Sequence, residues 1–151
     1  MLGWMDIVLR LGAAMVIGGA LGLNRELHNK PTGVRTLGLV GMGSALAVLA
    51  VADDPQAQIT RVRQGVIVGI GFLGAGITLH RDGNSEVRRL TTAAAIWITA
   101  FFGILCGLAA WPTAAVAIIL TAILLTLGGP FERWCHRHFG SDRSMPSPDG
   151  G

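Results

Sequence analysis

Five apolar segments separated by short polar loops constrain the fold of this chain more than any other feature. They cover roughly residues 7–23, 34–52, 62–79, 91–110 and 113–129. Each has about 17 to 20 residues, the helix length that crosses a hydrocarbon core of about 30 Å. Only 14% of the 151 residues are charged, which is too few to cover the outer faces of a small soluble domain. The pattern predicts an all-α, polytopic membrane helix bundle with five transmembrane helices.

The distribution of basic residues predicts the orientation of this bundle. Nine of the 12 Lys and Arg residues fall in the loops 24–35 and 80–90 and in the C-terminal tail. Because basic loops stay in the cytoplasm, the N-terminus is expected outside and the C-terminus inside. Residues 1–130 then form the transmembrane domain. Residues 131–151, which end in a Ser-, Pro- and Gly-rich stretch, form a short cytoplasmic tail that is expected to be largely disordered.

A glycine-rich stretch in the third segment admits two interpretations. Gly69–Gly74 reads G-x-G-x-x-G after three apolar residues, which is the spacing of a dinucleotide-binding fingerprint. That motif alone is a weak signal, and the alternating strands and amphipathic helices of a nucleotide-binding fold are absent. On a helix the same glycines form two faces that neighbouring helices can approach closely, as small residues do in lipid. The predicted packing glycines here are Gly65, Gly69 and Gly76 on one face, and Gly71 and Gly74 on the other.

Two G-x-x-x-G pairs elsewhere favour the packing interpretation. They are Gly18/Gly22 in the first segment and Gly103/Gly107 in the fourth. Such pairs also permit a homo-oligomer, with a dimer favoured. The basic residues do not stripe one face, so nucleic acid is not an expected partner. Cys106 and Cys135 belong to no C-x-x-C pair, and we expect neither a metal site nor a cofactor.

Polar residues gather at the predicted cytosolic ends of the first four segments. Ionisable groups near membrane depth are costly unless they are paired or functional. We therefore predict a cytosolic-side polar pocket for an anion, a hydrated cation or a partner segment. The alternative is that these residues pair with one another and cap helix ends. At the other membrane face, Arg10 is expected to snorkel to the surface. The predicted pocket residues are Asn24, Arg25, Glu26, Arg35, Thr36, Arg81, Thr91 and Thr92.

Four blocks of sequence resemble the MgtC/SapB family of bacterial inner-membrane proteins. They read GGALGLNRE, PTGVRTLGLVGMGSAL, GIGFLGAGITLHRDG and LTTAAAIWITAFFGILCGLA. The resemblance covers roughly residues 10–129. It implies a multi-pass protein of the bacterial plasma membrane with about five helices and no enzymatic activity. Some members support growth in low magnesium and survival in phagocytes, and the virulence-linked branch is associated with restraint of the F-type ATP synthase.

The chain departs from the virulence-linked branch at several positions. It resembles a short member that lacks the C-terminal soluble domain of longer relatives. Asn24 stands where many members have glutamate, and Thr91 stands where that branch tends to have asparagine. The expected function is therefore a non-enzymatic regulator or adaptor of a membrane complex or of ion homeostasis under magnesium stress. The alternative is a small dimeric transporter or channel for an ion or polar solute.

Overall fold

A computed structural model describes residues 2–53, 56–79 and 86–139, and the side chains of residues 2–53, 58–76 and 90–127. This part of the chain is all helical, as predicted, with five helices in the predicted order. The helices are α1 (Trp4–Leu27), α2 (Val34–Leu49), α3 (Gln56–Leu79), α4 (Glu86–Gly107) and α5 (Trp111–Phe139). Since α5 continues to Phe139, residues 131–139 of the predicted disordered tail are helical.

Two of the helices end in the same C-terminal motif. After α1, Asn29 has φ 51°, and after α4, Ala109 has φ 54°. In both cases the N–H of this left-handed residue and the N–H of the next residue bond to carbonyls of the last helical turn. This is the Schellman arrangement, which satisfies helix-end carbonyls and stops the helix. Asparagine tolerates the left-handed region better than alanine does, so the end of α4 carries more backbone strain.

The chain divides into two compact units, Met1–Ala114 and Ala115–Gly151. In the first unit, α2 packs against both α1 and α4, α1 also contacts α4, and α3 packs mainly against α4. Ala14, Ala45 and Cys106 are fully buried where α1, α2 and α4 meet. The second unit is described through residue 139 by the continuation of α5, and its large apolar side chains are mostly exposed.

Glycines allow the backbones of α1, α2 and α4 to touch. A Cβ on Gly22 of α1 would lie 2.6 Å from the Gly33 carbonyl oxygen, and one on Gly18 would overlap the carbonyl of Leu37. On α4, a Cβ on Gly107 would lie 2.9 Å from the Cβ of Val48. Real Cβ atoms do not come this close, so these contacts require glycine. Gly22 contacts Gly33 and Gly18 contacts Leu37, so α1 and α2 are antiparallel. Gly103 contacts Gly41 and Gly107 contacts Val48, so α2 and α4 are parallel.

The glycines of α3 differ from those of the other helices. Among the described residues, nothing lies within 4 Å of a Cβ built on Gly65, Gly69, Gly71 or Gly76. Gly74 faces Ala93 of α4 at an ordinary contact distance of 3.5 Å. Within the described single chain α3 presents Gly74 to α4, and close approach of neighbours to its other glycines stays a prediction.

Large apolar side chains are exposed on every helix, including Trp4 of α1, Phe72 of α3 and Leu124 of α5. Apolar surface of this extent is unfavourable in water and is expected where lipid surrounds the protein. In the described part of the chain, Trp4–Leu27 and Leu90–Gly107 are long and apolar enough to cross a membrane. Val34–Leu49 and Trp111–Leu127 are apolar but shorter.

Candidate functional site

Among the residues whose side chains are described, Arg25, in the last turn of α1, is the buried charged one, with only 3% of its surface exposed. Its guanidinium donates to acceptors on two other elements of the fold. Towards α4 it donates to the Thr92 hydroxyl (2.6 Å) and to the Thr91 carbonyl (3.3 Å). Towards the α1–α2 loop it donates to the Pro31 carbonyl (3.0 Å) and to the Thr32 hydroxyl (3.3 Å). One side chain thus joins α1, the loop and α4.

Every acceptor of Arg25 is uncharged. Within the described residues, no carboxylate lies within 4.0 Å of the guanidinium. Hydroxyl and carbonyl dipoles satisfy most of its five N–H groups, so within the described residues the charge is solvated by protein dipoles and not by a carboxylate. The Thr92 side chain is fully buried. Arg25 and Thr92 therefore form a closed polar cluster at the end of the unit where α1 meets α2.

The other predicted pocket residues that the structure describes lie around this cluster, and Thr91 reaches it through its backbone. Glu26 is exposed, and its Oε2 accepts a long contact of 3.4 Å from the N–H of Val34, at the start of α2. Arg35 and Thr36 are exposed in the first turn of α2, and Asn24 is half-buried. Thr91 contributes its backbone carbonyl, while its side chain is exposed. Arg81 lies outside the described residues. The structure thus brings together Arg25, Thr91 and Thr92, and it places Glu26 at a helix end.

The sequence reasoning missed Pro31 and Thr32. The run Pro31-Thr32-Gly33 signals a turn, and a turn between two helices of a hairpin is easily predicted from it. The turn signal does not say which side chain lies beneath the loop. The contact depends on the register of α1 against α4, since Arg25 and Thr92 are 67 residues apart.

A second arginine joins α1 to α4 at the opposite end. Arg10 donates to the carbonyl of Gly107 (2.9 Å) at the C-terminus of α4 and pairs with Asp6 (2.7 Å) one turn away on α1. The Arg10 side chain is 16% exposed, and its Nε is buried with no partner among the described residues. The expectation of simple snorkelling missed both partners. A cation at a helix C-terminus interacts favourably with the helix dipole.

The two arginine contacts have the same register, because residues 10 and 25 of α1 face residues 107 and 92 of α4. The helices are therefore antiparallel, and the contacts lie about 22 Å apart along α1. This separation is shorter than a hydrocarbon core of about 30 Å. The arginines thus flank the apolar middle of the α1–α4 pair.

Between these ends, the buried hydroxyl groups bond within their own helices. Ser44 donates to the Val40 carbonyl (2.8 Å), and Thr99 donates to the Ala95 carbonyl (2.7 Å). The hydroxyl protons therefore need no further acceptor. Among the described residues, no group of three or more His, Cys, Asp or Glu side chains could hold a metal ion.

Five helices, exposed apolar side chains on each of them and glycine-mediated backbone contacts among α1, α2 and α4 are consistent with a helical membrane bundle. Residues 11–134 match the model of the MgtC family. The chain belongs to this family, as the sequence motifs predicted. No solved structure matches it.

Several named relatives are similar over most of the chain. It is 43% identical to Protein SrpB of Synechococcus elongatus, over 86% of this chain and 77% of that protein. It is 37% identical to Protein MgtC of Salmonella typhimurium, over 75% of this chain and 48% of MgtC. It is 34% identical to "Putative magnesium transporter YhiD" of Escherichia coli, over 80% of this chain and 59% of that protein. The aligned region therefore spans about half the length of MgtC.

Proposed function

We propose that this protein is a non-enzymatic, multi-pass protein of the bacterial inner membrane that regulates or adapts a membrane complex, or ion homeostasis, during magnesium stress. Family membership and the magnesium-related name of one relative support the physiological part. The five helices and the basic loops support five spans with the N-terminus outside and the C-terminus in the cytoplasm.

The closed interior of the unit formed by α1, α2 and α4 favours regulation over transport. A transported ion needs polar groups at mid-membrane that can replace its hydration shell. In the described helices the Ser44 and Thr99 hydroxyls each donate to a carbonyl of their own helix, and both residues are buried between packed helices. The backbone contact between Gly41 of α2 and Gly103 of α4 leaves no space between the helices. This contact is the observation on which the proposal chiefly depends.

A dimeric transporter or channel is the second candidate. It is favoured by the glycines of α3 that have no described neighbour, since a second copy could approach them closely. A path would then lie between copies and not inside one chain, and it could use backbone carbonyls. In either case, lipid is the surrounding medium and a homo-oligomer is proposed, with a dimer favoured.

Flux measurements separate the two candidates. The full chain is reconstituted into liposomes, and Mg²⁺, K⁺ and H⁺ fluxes are followed with entrapped dyes. A regulator is expected to give fluxes equal to those of empty liposomes. A flux that scales with protein content and disappears in Gly69→Leu, but not in the matched variant Gly43→Leu, would reject regulation and support the dimeric pore.

A complementation assay tests the physiological part. The wild-type chain is expected to restore low-magnesium growth of a bacterium that lacks its own relative. Crosslinking in the complemented cells is then expected to recover one stoichiometric membrane complex. The Glu26→Ala and Arg35→Ala variants, put through the same two measurements, test the predicted pocket. Unchanged growth and crosslinking in both variants, at equal expression, would remove these residues from the proposed function.

A further inference from the structure

The loop between α1 and α2, residues 28–33, contains a residue in an unfavourable backbone conformation. Thr32 has φ 68°, in the left-handed region. A β-branched residue rarely adopts this region, and the strain persists only where other contacts hold it. Asn29, also left-handed, belongs to the Schellman end of α1, where asparagine is common. The strain in this loop is therefore concentrated at Thr32.

Arg25 supplies the contacts that hold Thr32 in place. Its Nε donates to the Thr32 hydroxyl, and its Nη2 donates to the Pro31 carbonyl just before it. Through Nη1 and Nη2 the same guanidinium holds Thr91 and Thr92 on α4. The planar fork of arginine is needed for this, because a single ammonium group cannot reach acceptors on both sides.

A single layer of loop residues covers the Arg25 guanidinium. His28, Asn29, Lys30 and Pro31 are exposed, whereas Arg25 beneath them is buried. If the loop moved away, the guanidinium would reach water and Thr32 could return to an ordinary φ. The loss of the Arg25 hydrogen bonds opposes this movement. Two contributions favour release of the loop. One is the backbone strain at Thr32, and the other is hydration of the Arg25 charge, which no described carboxylate pairs with.

We propose that residues 28–33 form a strap with two states, one latched to α4 by Arg25 and one released. The latched state is the one observed. Release uncovers the Arg25 guanidinium and the Thr92 hydroxyl at the end of the bundle. The contact of Gly33 with Gly22 opens with the strap, while the contacts of Gly18 with Leu37 and of Gly103 and Gly107 with α2 remain. The Arg25 hydrogen bonds favour the latched state, whereas the Thr32 strain and the hydration of the guanidinium favour the released state. All of them involve Arg25 and Thr32, so a changed interaction at either residue shifts the populations of the two states. The proposal does not depend on whether the protein regulates or transports.

Distances between spin labels test the strap directly. Labels are attached to Lys30→Cys on the strap and Leu90→Cys on α4, both exposed positions, in the full chain with Cys106 and Cys135 replaced by alanine. Double electron–electron resonance is recorded in nanodiscs. Wild type is expected to give one main distance. Arg25→Lys, which keeps the charge but loses the fork, is expected to raise the ratio of a second, longer distance to the main one at least tenfold.

Two further variants give the experiment its direction and its control. Thr32→Ser keeps the hydroxyl but removes the β-branch. In the Arg25→Lys background it is therefore expected to lower the population of the longer distance. Arg35→Lys, the same change at an exposed arginine, is expected to leave the wild-type distribution unchanged. A distribution for Arg25→Lys that matches wild type would overturn the proposal. So would loss of helicity and of a monodisperse elution peak in Arg25→Lys, because Arg25 would then hold the whole bundle and not a strap.

Discussion

The contact between α2 and α4 can be tested with one methyl group. The change is Gly103→Ala. A Cβ at this position would overlap the carbonyl oxygen of Gly41 and would lie 2.7 Å from the Cβ of Ser44. Ordinary contacts of this kind begin at 3.4 Å. The two helices must therefore separate by at least 0.7 Å at Ser44 (3.4 minus 2.7), and by more at Gly41, where the obstacle is backbone that cannot rotate away.

The expected cost follows from this overlap. Overpacking a tight interface typically costs about 1–3 kcal/mol of unfolding free energy. Replacing a helical glycine by alanine gains about 1 kcal/mol through helix propensity. The matched control is Gly43→Ala on α2, where nothing among the described residues lies within 4 Å of the new Cβ. Since both variants share the propensity gain, the difference between them isolates the contact, and we expect it near the upper end, about 3 kcal/mol.

The assay is reversible unfolding in mixed micelles, with rising mole fractions of sodium dodecyl sulfate and loss of helical circular dichroism as the signal. Gly103→Ala should unfold at lower detergent fractions than wild type, and Gly43→Ala at equal or higher ones. Adding Ser44→Gly to Gly103→Ala should recover little stability, because the Gly41 carbonyl remains in the way. Equal midpoints for Gly103→Ala and Gly43→Ala would refute the close approach of α2 and α4, and with it the argument for a closed interior.

The same assay tests the C-terminal end of α4. Ala109→Gly should raise the unfolding free energy by about 0.5–1 kcal/mol, because glycine removes the left-handed penalty of about 1–2 kcal/mol at a small entropic cost; Ala110→Gly, at a neighbouring position without positive φ, should lower it, and equal effects would disprove the strain. Arg10→Met should lower it by about 1 kcal/mol, since the Gly107 carbonyl loses its donor. Asp6→Asn should cost less, because this partly exposed ion pair contributes little; a larger cost for Asp6→Asn would mean that the ion pair, and not the helix-end hydrogen bond, holds the two helices.

Local patterns were sufficient wherever the property they predict is local. The number and order of the helices follow from apolar segments of membrane-spanning length, and the glycine pairs of α1 and α4 do lie at backbone contacts. The family followed from motifs that are read directly. The same glycine spacing on α3 leaves its surroundings undetermined, because spacing places residues on one face and does not say whether another helix covers it; the close packing predicted there stays a prediction.

The sequence by itself determined that this chain forms five helices and belongs to the MgtC family, since helix length, apolar content and motif order are properties of contiguous residues. Only the tertiary structure decided which polar residues meet. It placed Arg25 beneath Pro31 and Thr32 and against Thr92, and it joined Arg10 to Gly107, 97 residues away. The physical reason is that these contacts require the register between helices that are distant in the chain. That register is set by how closely the glycines let the backbones approach.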